Sequence, residues 1–224
     1  MKKIYVLLMI AVIAATVFGV VNRSSYSDLC NDPEYHEKIS VAQIPVEICV
    51  QTCERMKTSL MDVPTVVRIT SIGEVEHHFH ADVQRVKVEE VFKGTGITPG
   101  EEILLTSDRW MTSVLEEPYS MERGYVNILI PGKEYLVFLS DRIENLYSDL
   151  PVYKVFDNDQ NMITINAVFC YDNIENVVSD NYQGRTTYVP YSDVKDNEFF
   201  STSRDGLAAM ENLKMTMLEH FPKH

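Results

Sequence analysis

From Ile4 to Val21 the chain runs through eighteen positions without a charge, behind a basic Met1-Lys2-Lys3 start. Eighteen helical residues span about 27 Å, close to the ~30 Å hydrocarbon thickness of a bilayer, so residues 1–21 are expected to insert into a membrane. Two forms fit: an uncleaved signal anchor, or the apolar region of a signal peptide whose best cleavage site is Val17-Phe18-Gly19. In both, Lys2 and Lys3 stay on the cytoplasmic side and everything after Asn22 is exported. Residues 22–44 are polar, carry Pro33, and are expected to form a juxtamembrane linker.

The pattern then turns helical. Pro45 opens residues 45–62, where Val46, Cys49, Val50, Cys53, Met56 and Leu60 recur at steps of three and four, which places both cysteines on the apolar face. From Thr65 the period shortens to that of strands. "TVVRITSIGEV" is β-branched and ends near Gly73, and "VQRVKVEEVFKG" alternates Val86 and Val88 before skipping to Val91, a skip that predicts a β-bulge at Glu89-Glu90. "EEILLTS" is a further strand. "PGKEYLVFLSD" is a turn followed by a buried strand, since Tyr135 to Leu139 is continuously apolar.

Shorter strands are expected in "VYKVF", "MITINAVF" and "TTYVP", the first two joined as a hairpin through "DNDQN". A helix from about Arg204 to His220 ends the chain, with Leu207, Met210, Leu213, Met217, Leu218 and Phe221 as its stripe and a capping box of Thr202 with Asp205. The fold class is mainly β: a small antiparallel barrel with an N-terminal and a C-terminal helix, preceded by a membrane segment.

Composition narrows the partners. Beyond the two leader lysines there are 18 basic and 33 acidic residues, a net charge of −15. Such a surface repels phosphate, which excludes nucleic acid and anionic headgroups as partners and favours cations or basic protein surfaces. Four cysteines, Cys30, Cys49, Cys53 and Cys170, are an even number in an exported chain and are the candidates for two disulfides, with three possible connectivities. Zinc is the alternative for Cys49 and Cys53.

The series Val66-Val67-Arg68, a variable hairpin, "VKVEEVFKG", "GEEILLTS" and "GKEYLVFLSD" resembles the netrin-like domain, the OB-type barrel of the tissue inhibitors of metalloproteinases and of many bacterial surface proteins. Its two most telling pieces are Val91-Phe92-Lys93-Gly94 and Gly132-Lys133-Glu134-Tyr135-Leu136-Val137-Phe138-Leu139. The resemblance covers residues 63–141, with residues 142–224 completing the same domain. It implies an extracytoplasmic protein-binding or ligand-binding module of a bacterial surface. The inhibitors of that family act through an amino-terminal cysteine that reaches a protease zinc; here a membrane segment and linker stand in its place, so that activity does not carry over.

The remaining chemistry is sparse. His77, His78 and His80 lie within four positions, and the i, i+2 spacing of His78 and His80 on a strand suits two imidazoles on one divalent metal, with Glu74, Glu76 or Asp82 completing the shell. A solvated hairpin tip is the plainer reading. Asp157, Asp159 and Asn161 start like a calcium loop, but Met162 replaces the turn glycine and Val168 the bidentate glutamate. Trp110 and the tyrosines Tyr182, Tyr188 and Tyr191 are either packed or partner-facing aromatics. No Gly-x-Ser-x-Gly, His-Glu-x-x-His, phosphate-loop or dinucleotide motif occurs, so no catalytic residue and no cofactor is assigned. The expectation is a non-catalytic module at the cell membrane, or secreted if the leader is cleaved, that binds a protein or small ligand. A metal-binding or metal-sensing surface protein using His78 and His80 is the alternative, and a hydrolase with an unrecognised site the third.

Overall fold

The computed structural model describes residues 2–25, 39–78, 81–108, 110–113, 119–144, 148–156, 165–178 and 188–224. Two compact units emerge, Met1–Tyr35 and His36–His224.

The described part of the first unit is the helix α1 (Lys2–Ser25). Among the described residues no helix is long and apolar enough to cross a membrane.

In the second unit the described strands and helices are β1 (Ile39–Ala42), α2 (Val46–Ser59), β2 (Thr65–His78), β3 (Ala81–Lys93), β4 (Glu102–Thr106), β5 (Trp110–Ser113), β6 (Tyr119–Arg123), β7 (Glu134–Ile143), β8 (Val152–Val155), β9 (Val168–Cys170), β10 (Tyr188–Pro190), α3 (Tyr191–Val194) and α4 (Arg204–His220). A 3-10 turn, Leu60–Asp62, follows α2.

Five strands close on themselves. Around the barrel the order is β2-β3-β4-β8-β7, and β7 returns to β2 from Thr65↔Leu139 to Thr70↔Glu134. All barrel neighbours are antiparallel except β4 and β8, which run parallel. A short closed barrel needs strongly coiled strands, and the bulges supply the coil. On β3 the partners step from Arg68↔Glu90 to Ile69↔Val88, leaving Glu89 as the extra residue where the hydrophobic pattern skipped. On β2 the register shifts between Ser71 and Val75. Gly73 lies in that shift, where an added Cβ would come within 3.3 Å of the Arg85 Cβ, so the close approach of the two strands uses the missing side chain. This bulge carries β2 on to His78, past the expected end near Gly73.

Consecutive residues of β2 and β7 are buried, Val66-Val67 and Tyr135 through Leu139, which is the mark of strands covered on both faces. β9 lies beside the first half of β7, pairing Tyr135↔Cys170 to Val137↔Val168. The expected hairpin of "VYKVF" with "MITINAVF" is therefore corrected: β8 pairs with β4 and β7, and β9 with β7. The "DNDQN" segment itself lies outside the described residues.

A second sheet, β10-β1-β6-β5, has its two central strands parallel. It corrects the linker reading for residues 39–44, because Ile39 and Val41 are buried and alternate with Ser40 and Ala42, the pattern of a half-buried strand, and Ile44 beyond it is buried too; residues 26–38 of that stretch lie outside the described residues.

The two longer helices of this unit pack against each other. α2 buries Cys49, Thr52, Cys53 and Met56, whereas Val50 is exposed, so its buried face is turned away from the expected stripe toward Thr52. α4 has the expected span. Its cap is Ser203, whose hydroxyl accepts from the Gly206 N–H at 3.0 Å, while the Thr202 hydroxyl turns to the Ile44 carbonyl. At its far end Phe221 meets Phe138 edge-on at 5.6 Å and Phe92 at 5.5 Å, closing α4 against the barrel.

Candidate functional site

A buried ion pair is the most chemically charged feature of the described residues. Glu198 and Lys214 have side chains only 3% and 8% exposed. The first follows α3 in the chain and the second belongs to α4, and they meet beside β9. One Glu198 oxygen accepts from the Cys170 N–H at 2.7 Å and the other from Lys214 Nζ at 2.5 Å; Lys214 also donates to the Asp172 carbonyl at 2.8 Å. Burial pushes the Glu198 carboxyl above the usual carboxylate range, although Lys214 and the Cys170 N–H pull it down. Burial likewise raises the Cys170 thiol, which keeps it protonated and a poor nucleophile. Every strong partner of this pair is another part of the fold, so the cluster fixes α4 to β9 and leaves little for a substrate to take.

A shallow groove runs along the same helix, lined by Ile174, Glu175, Asn176, Glu211, Lys214 and Met215. Amide side chains that sequence reasoning missed clip the irregular segments of the fold, and one of them, Asn176, lines this groove. Asn176 Oδ1 accepts from both the Glu198 and Phe199 N–H groups. Asn197 donates to Val177 O and Phe199 O and accepts from Val177 N; Asn127 donates to Lys195 O and Asn197 O and accepts from the Tyr191 hydroxyl. Gln84 makes the same two-way clip to the Leu129 backbone. The only signal for these was asparagine in stretches without periodicity, where its side chain substitutes for ladder bonds.

On the barrel surface, Arg68 bridges Glu134 at 2.5 Å and Glu90 at 3.2 Å, and Lys223 reaches the other Glu134 oxygen at 2.6 Å. Lys223 and Arg68 together hold the Glu134 carboxyl below its ordinary range despite partial burial. The network ties the C-terminal tail to β2, β3 and β7.

The candidate residues from the sequence are dispersed. His78 ends β2, but its side chain, like those of His77 and His80, falls outside the described residues, as do Cys30, Tyr182 and the whole Asp157–Asn161 stretch. Among the described residues no group of three or more His, Cys, Asp or Glu is placed to hold a metal ion. Cys49, Cys53 and Cys170 are free, buried thiols, which corrects the disulfide expectation for these three: Cys170 lies on β9 and packs as a small apolar residue, away from the helical pair. Trp110 is 1% exposed, core and not anchor, and Tyr191 is buried on Asn127. The chain matches no protein-family model and no curated protein.

Proposed function

We propose that this is a membrane-anchored, extracytoplasmic binding module without catalytic activity, in which a netrin-like OB barrel is displayed to a protein or small ligand. The observation that carries the reading is the state of α1. Its apolar side chains project outward, Tyr5 by 67% and Phe18 by 69%, on a 24-residue helix that forms a unit of its own. Apolar surface of that extent is unfavourable in water, and a bilayer is the solvent that its uncharged run matches. The barrel supports the second half of the reading: its order 1-2-3-5-4-1, with strand three parallel to strand five and bulges in the first hairpin, is the arrangement of an OB barrel. Glu198 and Lys214 take their strong partners from the fold itself, which supports a structural role for this pair. An acidic surface selects cations or basic protein surfaces over nucleic acid.

The experiment is alkaline-carbonate extraction of membranes carrying the full chain or a Val12→Lys/Ala15→Lys variant. The wild-type chain stays in the membrane pellet. Each lysine costs about 3 kcal/mol at the centre of a membrane helix, enough to shift the variant to the supernatant. Release of the wild-type chain by carbonate would sink the proposal.

A further inference from the structure

The two thiols of α2 are unused by the module proposed above, and their placement is specific. Cys49 and Cys53 are four residues apart on one helical face, fully buried at 0% and 1% exposure. Cys49 Sγ donates to the carbonyl of Gly206, in the first turn of α4, at 3.2 Å. Thr52, on the same buried face, keeps its hydroxyl oxygen without a partner among the described residues.

Spacing decides between two uses of such a pair. Cβ atoms at i and i+4 on a helix stand about 5–6 Å apart. A disulfide needs about 3.5–4.5 Å, so joining these sulfurs directly would distort α2. An ion bound linearly to both, with metal–sulfur bonds of about 2.3 Å as in zinc sites, holds the sulfurs roughly 4–5 Å apart, a separation that Cβ atoms about 5–6 Å apart can reach without distorting α2. Two buried thiolates, with no third His, Cys, Asp or Glu grouped with them among the described residues, suit a soft, closed-shell ion that is content with two ligands, and soft sulfur donors select Cu(I) among the common metals.

We propose that Cys49 and Cys53 form a two-coordinate dithiolate site for a soft monovalent cation of the Cu(I) class. Binding breaks two S–H bonds, forms two S–Cu bonds and releases two protons to solvent, with no change in the oxidation state of sulfur or metal. The Cys49 hydrogen bond to Gly206 O is lost in the process, so occupancy is felt where α2 meets α4.

The test is anaerobic titration of the reduced full chain with Cu(I) against a chromophoric Cu(I) chelator, with Ag(I) as a redox-inert second probe. The ion is added both to the folded chain and during refolding, because the site is closed to solvent. Wild type and a Cys30→Ser/Cys170→Ser variant are expected to take up one equivalent and release about two protons. Cys49→Ser and Cys53→Ser, each checked for a native Trp110 emission, are expected to bind at least tenfold more weakly. Wild-type binding no tighter than that of Cys49→Ser under both loading regimes overturns the proposal, as does loss of binding in Cys30→Ser/Cys170→Ser.

Discussion

Replacing Lys214 by methionine keeps most of its volume and removes the only cation paired with Glu198 in the described structure. Glu198 is then left at 3% exposure with one bond, from the Cys170 N–H, where it had two. Breaking a buried pair from one side costs about 3–5 kcal/mol, because the orphaned charge stays desolvated. For a domain of this size each kcal/mol moves the melting temperature by about 2–4 °C, so Lys214→Met should lower it by roughly 6–20 °C near pH 7. The pH dependence has a definite sign. Glu198's folded pKa lies above its unfolded value, so the folded state holds this proton more tightly; that contribution is present in acid and lost as pH rises through the folded pKa. Lys214 pulls the folded pKa down, and its removal raises it further, so the deficit of Lys214→Met should shrink as the pH falls toward 5. A Glu198→Gln/Lys214→Met double variant, with no buried charge, should regain most of the loss at pH 7. Thermal melts followed by the emission of Trp110, the only tryptophan, read all three chains. A Lys214→Met melting temperature equal to that of wild type at pH 7, or a deficit that does not change with pH, would rule out this role for the pair.

Other positions give separate tests. Gly124 has φ +57° and an added Cβ would stand 2.6 Å from the buried Asn166 side chain, so Gly124→Ala should cost about 2–4 kcal/mol in urea unfolding from backbone strain plus overpacking. Trp110 buries an indole N–H without a hydrogen-bond partner among the described residues. Trp110→Ala should cost about 3–5 kcal/mol and Trp110→Phe clearly less, since the phenyl ring keeps most of the packing and brings no orphaned donor; circular dichroism melts compare them. Ser203→Ala should cost about 1 kcal/mol and Thr202→Ala less in the same melts, which separates the two possible caps of α4.

Long, strongly periodic segments were legible from the chain alone. The apolar stripe of α4, the continuous run Tyr135–Leu139 and the skip in valine spacing around Glu89 each follow from side chains that must reach the core at a fixed period. The second sheet was not, because strands as short as Ile39–Ala42 and Trp110–Ser113 carry too few alternating positions to stand out from polar loops. Pairing across distance was equally hidden: nothing in "MITINAVF" marks β7 as its neighbour instead of β8. The buried pair Glu198–Lys214 looked like two surface charges among many, since burial of a charge is decided by what folds over it. The cysteine count suggested disulfides, whereas the fold places two thiols one helical turn apart and the third on a strand.

In the proposed arrangement α1 holds the acidic barrel domain outside the cytoplasm. The most direct measurement adds protease to intact, wall-stripped cells that express the full chain with a cytoplasmic marker. Membrane-pelleted chain whose residues beyond Asn22 are digested while the marker survives is the expected result. Chain recovered in the soluble cytoplasmic fraction, or protected until the membrane is lysed, would contradict it.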